Sequence, residues 1–187
     1  MHRNTLFALS AVALTALGLV ASPVRAEDEK KQGRLLIGPQ LGFYTPSDGL
    51  ARSRFGGAWT NIGFGFGDVS APKAKGELNF DVNFMSSRAS QSEVLLAPIG
   101  VVYRKSISEN HRTRPYFGVS ADWLVTSMRS DILLDQIPSG IRTGAGGSFF
   151  GGLTMGNSFY IEGRFYTFSK IRGFDFSGTN IALGWRL

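Results

Sequence analysis

Residues 77–84 read Glu77-Leu78-Asn79-Phe80-Asp81-Val82-Asn83-Phe84. Leu78, Phe80, Val82 and Phe84 alternate with acids and amides. A period of two is the signature of a β-strand, whose successive side chains point to opposite faces. The strand has one apolar face and one face carrying carboxylates. Seven other stretches of the chain repeat this two-faced pattern.

Two such stretches precede it. From Leu35 to Tyr44, Leu35, Ile37, Pro39, Leu41 and Phe43 share a face opposite Gly38, Gln40, Gly42 and Tyr44. From Gly57 to Phe66, Ala58, Thr60, Ile62, Phe64 and Phe66 lie opposite Trp59, Asn61, Gly63 and Gly65. The 77–84 pattern itself extends over Gly76–Met85. Five stretches follow it. Both faces of Val94–Arg104 are largely apolar, and Arg104 with its context assigns Leu95, Ala97, Ile99, Val101 and Tyr103 to the outer set. In Arg114–Val125, Pro115, Phe117, Val119, Ala121, Trp123 and Val125 oppose Tyr116, Gly118, Ser120 and Asp122. Ile141–Leu153 is rich in glycine and alanine and alternates weakly. The seventh strand sets Phe159, Ile161, Gly163 and Phe165 against Tyr160, Glu162, Arg164 and Tyr166. Ser177–Leu187 sets Thr179, Ile181, Leu183, Trp185 and Leu187 against Gly178, Asn180, Ala182, Gly184 and Arg186.

Between these stretches the residues read as turns and loops. Thr45–Gly49 is a turn cluster continued by a loop to Gly56. Ser86–Ser92 reads as a polar loop and Ser106–Thr113 as a turn. The longest loop spans 127–139, and its Ile132-Leu133-Leu134 suits either a helical turn or a strand extension. Gly156-Asn157 makes a tight turn, and Ser169–Asp175 is a short connection. Helical periodicity is hard to find, so strands and turns are expected throughout.

The two faces differ in charge. With each strand in the register above, no outward position carries a charged or amide side chain. The inward face holds Glu77, Asp81, Arg104, Asp122, Arg142, Glu162, Arg164 and Arg186, equal numbers of acids and bases. A Lys or Arg on a lipid-facing wall at mid-bilayer costs roughly 2–4 kcal/mol, and a barrel avoids this by turning its apolar rows outward. Closure also pairs every backbone N–H and C=O, which an open edge in lipid cannot do. The expected fold is therefore all-β: one closed antiparallel up-and-down transmembrane β-barrel of about eight strands over residues 34–187. Mean hydropathy near zero agrees, because lipid-facing and lumen-facing residues cancel in any average.

Aromatics gather toward the strand ends. If the first strand runs outward, Phe66, Tyr103, Phe117, Phe159 and Trp185 form one girdle, and Phe43, Phe84, Trp123 and Phe165 a second. Inward glycines would make room for Trp59, Tyr44, Tyr160 and the arginines in an interior just wide enough for side chains. The glycine-rich runs at 63–67 and 144–147 open no helix and precede no Lys-Ser/Thr, so they do not read as phosphate loops.

Residues 1–26 read as a secretory signal peptide. Arg3 supplies a basic start, an apolar run of about 15 residues follows, and Val24-Arg25-Ala26 fits a cleavage site. That run is short of the ~20 residues a spanning helix needs. Residues 27–33 then form a charged mature N-terminus. The chain has no cysteine, so no disulfide staples the exported protein. The net charge of +6 is scattered rather than clustered, which argues against a nucleic-acid partner. With no cysteine and His111 the single mature histidine, neither a metal nor another cofactor is expected.

The opening Ile37-Gly38-Pro39-Gln40-Leu41-Gly42-Phe43-Tyr44 and the closing Asn180-Ile181-Ala182-Leu183-Gly184-Trp185-Arg186-Leu187 carry a family resemblance. The mature chain resembles the small porin-like or OmpA-type outer-membrane β-barrels of Gram-negative-type bacteria. The closing strand resembles that family's assembly signal, which usually ends in an aromatic; here the last residue is Leu187 and the aromatic is Trp185. The resemblance implies residence in the bacterial outer membrane as a monomer, with outer-membrane lipid and the insertion machinery as partners. It carries over no catalytic motif. The function expected is structural, surface-recognising or that of a narrow pore, and not enzymatic. Two alternatives are a barrel enzyme acting on outer-membrane lipids, for which His111 is the single candidate base, and a secreted soluble lipocalin-like barrel for a small apolar ligand.

Overall fold

The computed structural model describes residues 37–67, 76–89, 91–108, 113–130, 137–156 and 159–185. The expected signal peptide, His111, Arg186 and Leu187 lie outside them. Eight strands and one helix follow in order: β1 (Ile37–Pro46), α1 (Gly49–Phe55), β2 (Trp59–Phe66), β3 (Glu77–Ala89), β4 (Ser92–Ser106), β5 (Thr113–Ser130), β6 (Ile137–Met155), β7 (Phe159–Phe168) and β8 (Gly178–Trp185). Each strand pairs antiparallel with the next, and β8 pairs with β1, so the sheet closes into an up-and-down barrel. Closure is carried by Gln40 opposite Gly184 through Pro46 opposite Gly178.

The inward and outward sets fall as the alternation requires. In β8 the pattern runs without a break, Gly178, Asn180, Ala182 and Gly184 being buried and Thr179, Ile181 and Leu183 exposed. In β4 the ambiguity between its two apolar faces resolves with Val94, Leu96, Val102 and Arg104 inside and Val101 and Tyr103 outside. Four charged residues face outward among the described strand residues: Arg88, Glu93, Lys105 and Arg129. Each stands next to the last residue of its strand end. Between Glu93 and Lys105 the outer row of β4 is apolar from Leu95 to Tyr103, the nine-residue length of a tilted strand that crosses a hydrocarbon core.

The strands are longer than their apolar alternation suggests. β3 continues through Ser86–Ala89, β4 begins at Ser92, β5 continues to Ser130 and β6 begins at Ile137. Ser86–Ser92 is thus mostly strand, and most of the described part of the expected 127–139 loop is strand as well; Ile132–Leu134 lies outside the described residues. β5 and β6 span 18 and 19 residues, while β2 and β8 span 8 each. The excess rises on one side at the end where α1 lies, with a register irregularity in β5 between Met128 and Ser130. The opposite end holds Ile37, Trp185 and the β2–β3, β4–β5 and β6–β7 connections.

The helix corrects the expectation of strands and turns alone. Asp48 caps it: its carboxylate accepts from the backbone N–H of Leu50 at 3.3 Å and of Ala51 at 3.2 Å. Gly56, at φ 91°, ends it in a conformation open to glycine, and its N–H bonds Arg52 O at 2.9 Å.

Candidate functional site: a lumen filled in two layers

The inward faces meet in two clusters stacked along the barrel. The first is ionic. Arg164 of β7 places its Nη2 at 2.7 Å from Glu162 Oε1 and at 2.9 Å from Asp81 Oδ2 of β3. β3 and β7 are diametrically opposite in the ring, so this contact crosses the whole lumen. Arg104 of β4 completes the cluster, with Nη2 at 3.2 Å from Asp81 Oδ2 and at 3.7 Å from Glu162 Oε2. Two acids thus balance two bases, all four being 2 % exposed or less. Tyr116 donates to Glu162 Oε2 at 3.0 Å. The Phe150 ring lies against both guanidinium groups, 4.3 Å from Arg164 Cζ and 5.1 Å from that of Arg104. Phe150 can lie there because Gly118 faces it: a Cβ at 118 would collide with that ring and with the carbonyl of Tyr103.

Not every inward charge joins this cluster. Asp122 is buried and accepts from Ser120 Oγ at 2.6 Å, and that hydroxyl also meets Ser148 Oγ at 2.7 Å. Glu77 is half-buried in register with Arg104 at the mouth where β1 begins and β8 finishes. Arg142 corrects the expected network. Its position has inward parity, yet it stands beyond the barrel mouth, exposed, with Nη1 at 3.5 Å from Ile141 O.

The second cluster is apolar and was not expected. Phe55 of α1 enters the α1-side mouth, 5.3 Å from Phe174 and 6.4 Å from Trp59, ring centroid to ring centroid. Phe176 packs on Phe55 at 6.2 Å and on Trp59 at 6.0 Å. Beneath them lie Met85, Leu96, Leu124 and Tyr166, all buried. Backbone bonds fix the cap: Ser87 Oγ donates to Phe55 O at 2.6 Å, Trp59 Nε1 donates to Gly56 O at 2.7 Å, and Tyr44 OH donates to Phe176 O. The two layers touch at Tyr166, whose hydroxyl accepts from Arg164 Nη1 at 3.4 Å. The sequence signals for this layer were Phe174 in the segment read as a connection, Phe176 just after it, and Asp48 as a helix cap. Near the cap, Asp175 accepts from Ser177 N–H at 2.8 Å; its hydrogen bonds with Ser177 and the nearby Lys170 hold its carboxyl below the usual range.

The expected girdle residues all project from the outer wall. Phe43, Trp123, Phe159, Phe117 and Tyr103 are exposed, and Phe66, Phe84, Phe165 and Trp185 are half-buried by neighbours. The registers set Phe66, Tyr103, Phe117, Phe159 and Trp185 toward the end where β1 begins, and Phe43, Phe84, Trp123 and Phe165 nearer the α1 end. Among the described residues no group of three or more His, Cys, Asp or Glu side chains converges as a metal site would require.

No family model matches the chain, and no curated protein matches its sequence. Solved structures do match. Neisserial surface protein A (NspA) superposes with a TM-score of 0.54 at 15% identity, covering 82% of this chain and 96% of NspA. The fold is that of an eight-stranded outer-membrane β-barrel. The N-terminal β-barrel domain of Pseudomonas aeruginosa OprF matches at a TM-score of 0.49 and 9% identity, over 82% of this chain and 97% of that domain. Ail, the attachment invasion locus protein of Yersinia pestis, matches at 0.45 and 10%, over 82% and 97%.

Proposed function

We propose that the protein is an exported, monomeric, integral outer-membrane barrel with a structural and surface-presenting role, neither enzyme nor conducting pore. One observation carries this reading: the outer wall is free of charge between strand ends while a neutral four-charge cluster and an aromatic cap fill the interior. A soluble ligand-binding barrel needs the reverse, an apolar lumen and a charged exterior. In this reading the end where β1 begins and β8 finishes, with the β2–β3, β4–β5 and β6–β7 connections, faces the periplasm, and α1 with the tall β3–β6 wall faces outward, the side on which the strands run past their apolar band. Residues 1–26 direct export, and Trp185 with Leu187 engages the insertion machinery. The nine girdle aromatics sit at the two lipid–water boundaries.

The test is fractionation followed by electrophoresis of heated and unheated samples. The protein is expected in the detergent-extracted outer-membrane fraction, with a folded form that migrates differently until boiled. Recovery from periplasm or medium without detergent overturns the membrane reading.

A further inference from the structure

Arg104 and Arg164 are committed to Asp81 and Glu162, which leaves the buried Asp122 without a cation. Among the described residues no ion pair reaches it. Its hydrogen bond comes from Ser120 Oγ, a hydroxyl already shared with Ser148. The four-charge cluster is neutral, so Asp122 adds one uncompensated negative charge to the interior. A buried charge is costly unless something pairs with it.

Two unpartnered oxygens stand at the same height. Pairing lines climb around the barrel because its strands tilt. The line from Gly38, near the foot of β1, passes Gly65, Asp81, Gly100, Asp122 and Gly146 and arrives at Phe168, the head of β7. With that climb allowed for, Asn61 of β2, Asn83 of β3, Asp122 of β5 and Asn180 of β8 form one ring. It lies above the Asp81–Arg164 contact and below Trp59, Met85, Leu96 and Leu124. All four ring residues are buried. Asn83 Oδ1 is satisfied, accepting from Gln40 Nε2 at 2.5 Å and from Asn61 Nδ2 at 3.4 Å. Asn61 Oδ1 and Asn180 Oδ1 have no hydrogen-bond partner, on side chains of residues only 0 % and 1 % exposed. Buried acceptors in folded proteins are nearly always partnered. The unpartnered donors Asn79 Nδ2 and Arg104 Nε and Nη1 lie lower, toward the end where β1 begins.

We propose that this ring binds one monovalent alkali cation, Na⁺ or K⁺. Asp122 supplies the charge, Asn61 Oδ1 and Asn180 Oδ1 supply neutral oxygens, and water completes the shell. Carbonyl oxygens replace the hydration of such ions in selectivity filters by the same chemistry. The charge count selects a single positive charge: a divalent ion would leave an excess of one. An anion would meet acceptors, and a soft metal would find neither nitrogen nor sulfur ligands. With one carboxylate in the ring, the site is unlike the His, Cys, Asp and Glu cluster that a metal centre of that type would need. The inference rests on lumen packing and holds whether or not the barrel resides in a membrane.

The test uses the folded full-length protein in non-ionic detergent micelles, at constant ionic strength, with choline chloride replaced stepwise by NaCl or KCl. The urea unfolding midpoint should rise saturably with the alkali ion, and the arm that saturates at the lower concentration identifies which ion the ring prefers. Asp122→Asn keeps the shape and removes the charge, and should abolish the dependence. Asn180→Ala should weaken the apparent affinity about tenfold, the size of one lost contact to a charged group. Glu93→Gln, at an exposed carboxylate, should leave the dependence intact and so controls for general salt effects. Heat-modifiable migration checks that each variant is folded. Should Asp122→Asn not fold, calorimetric titration of the wild type with Na⁺ and K⁺ decides, one ion per chain being expected. Three results overturn the proposal: equal midpoints in choline and alkali chloride, which would leave the ring to ordered water; an alkali dependence that survives Asp122→Asn; or saturable stabilisation by Mg²⁺ or Ca²⁺ and not by the monovalent ions.

Discussion

At the residue scale the ion cluster is the most demanding feature of the chain. Arg164 holds Asp81 and Glu162 together across the lumen, so truncating it leaves two carboxylates buried with only Arg104 to balance them. Breaking a buried pair from one side costs about 3–5 kcal/mol, because a charge is left without compensation. Arg164→Ala is expected to lower the urea unfolding midpoint in micelles accordingly. Replacing Asp81 and Arg104 together by leucine should cost less than the sum of the two single changes, and a double-mutant cycle reads that coupling. Glycines give a second contrast. Gly118→Ala drives a Cβ into the Phe150 ring and into the Tyr103 carbonyl, and neither can swing away. A loss of about 1–3 kcal/mol is expected. At Gly163, on the outer wall, a Cβ would meet nothing within 4 Å, so Gly163→Ala should be neutral or slightly stabilising in the same measurement.

At the element scale the strands were legible and their ends were not. Alternation reveals a strand only while one face must be apolar. Ser86–Arg88 and Ser127–Ser130 rise past the apolar band, where nothing demands grease outside, so they read as polar loop although the ladder continues. Arg142 shows the same limit: sequence parity gives a residue's face but not its height, and this arginine has cleared the mouth. α1 was hidden by its brevity. It buries only Ala51 and Phe55, a single i, i+4 pair, too little to show a helical stripe, and Asp48 was the one available signal. The β7–β8 connection likewise looked like plain linker, yet it brings Phe174 and Phe176 into the lumen. Its conformation should depend on pH through Asp175. That carboxyl is held below its ordinary value of 3.8 in the fold, so its contribution is present above that unfolded value and is lost as pH falls through the lower folded value. The Ser177 amide, which bonds Asp175, should keep its exchange protection through the ordinary carboxyl range and lose it only as pH falls through the lowered folded value, and Asp175→Asn should weaken that protection at neutral pH.

On the scale of the whole molecule, the two layers close the barrel in series. Eight strands leave an interior just wide enough for side chains, and here both halves of it are occupied. The ionic layer spans the ring from β3 to β7, and the aromatic layer seals the mouth above it. Each is a barrier of a different kind: paired charges obstruct by filling space and holding a neutral network, while an apolar constriction excludes water and with it any ion. Removing one should therefore leave the other in force. Three variants in planar bilayers separate the contributions: Phe55→Ala with Phe174→Ala for the cap, alanine at Asp81, Arg104, Glu162 and Arg164 together for the charge-neutral removal of the cluster, and all six changes combined. The wild type and the first two variants are expected to be silent, and the combined variant to conduct. Conductance from the cap variant alone would mean that the charges can part to admit ions. Conductance from the cluster variant alone would mean that the aromatic mouth is wet. Silence from the combined variant, in protein shown by heat-modifiable migration to be folded, would place the seal in the side chains that remain, chiefly Tyr44, Tyr116, Tyr160 and Trp59, which are buried in the same lumen.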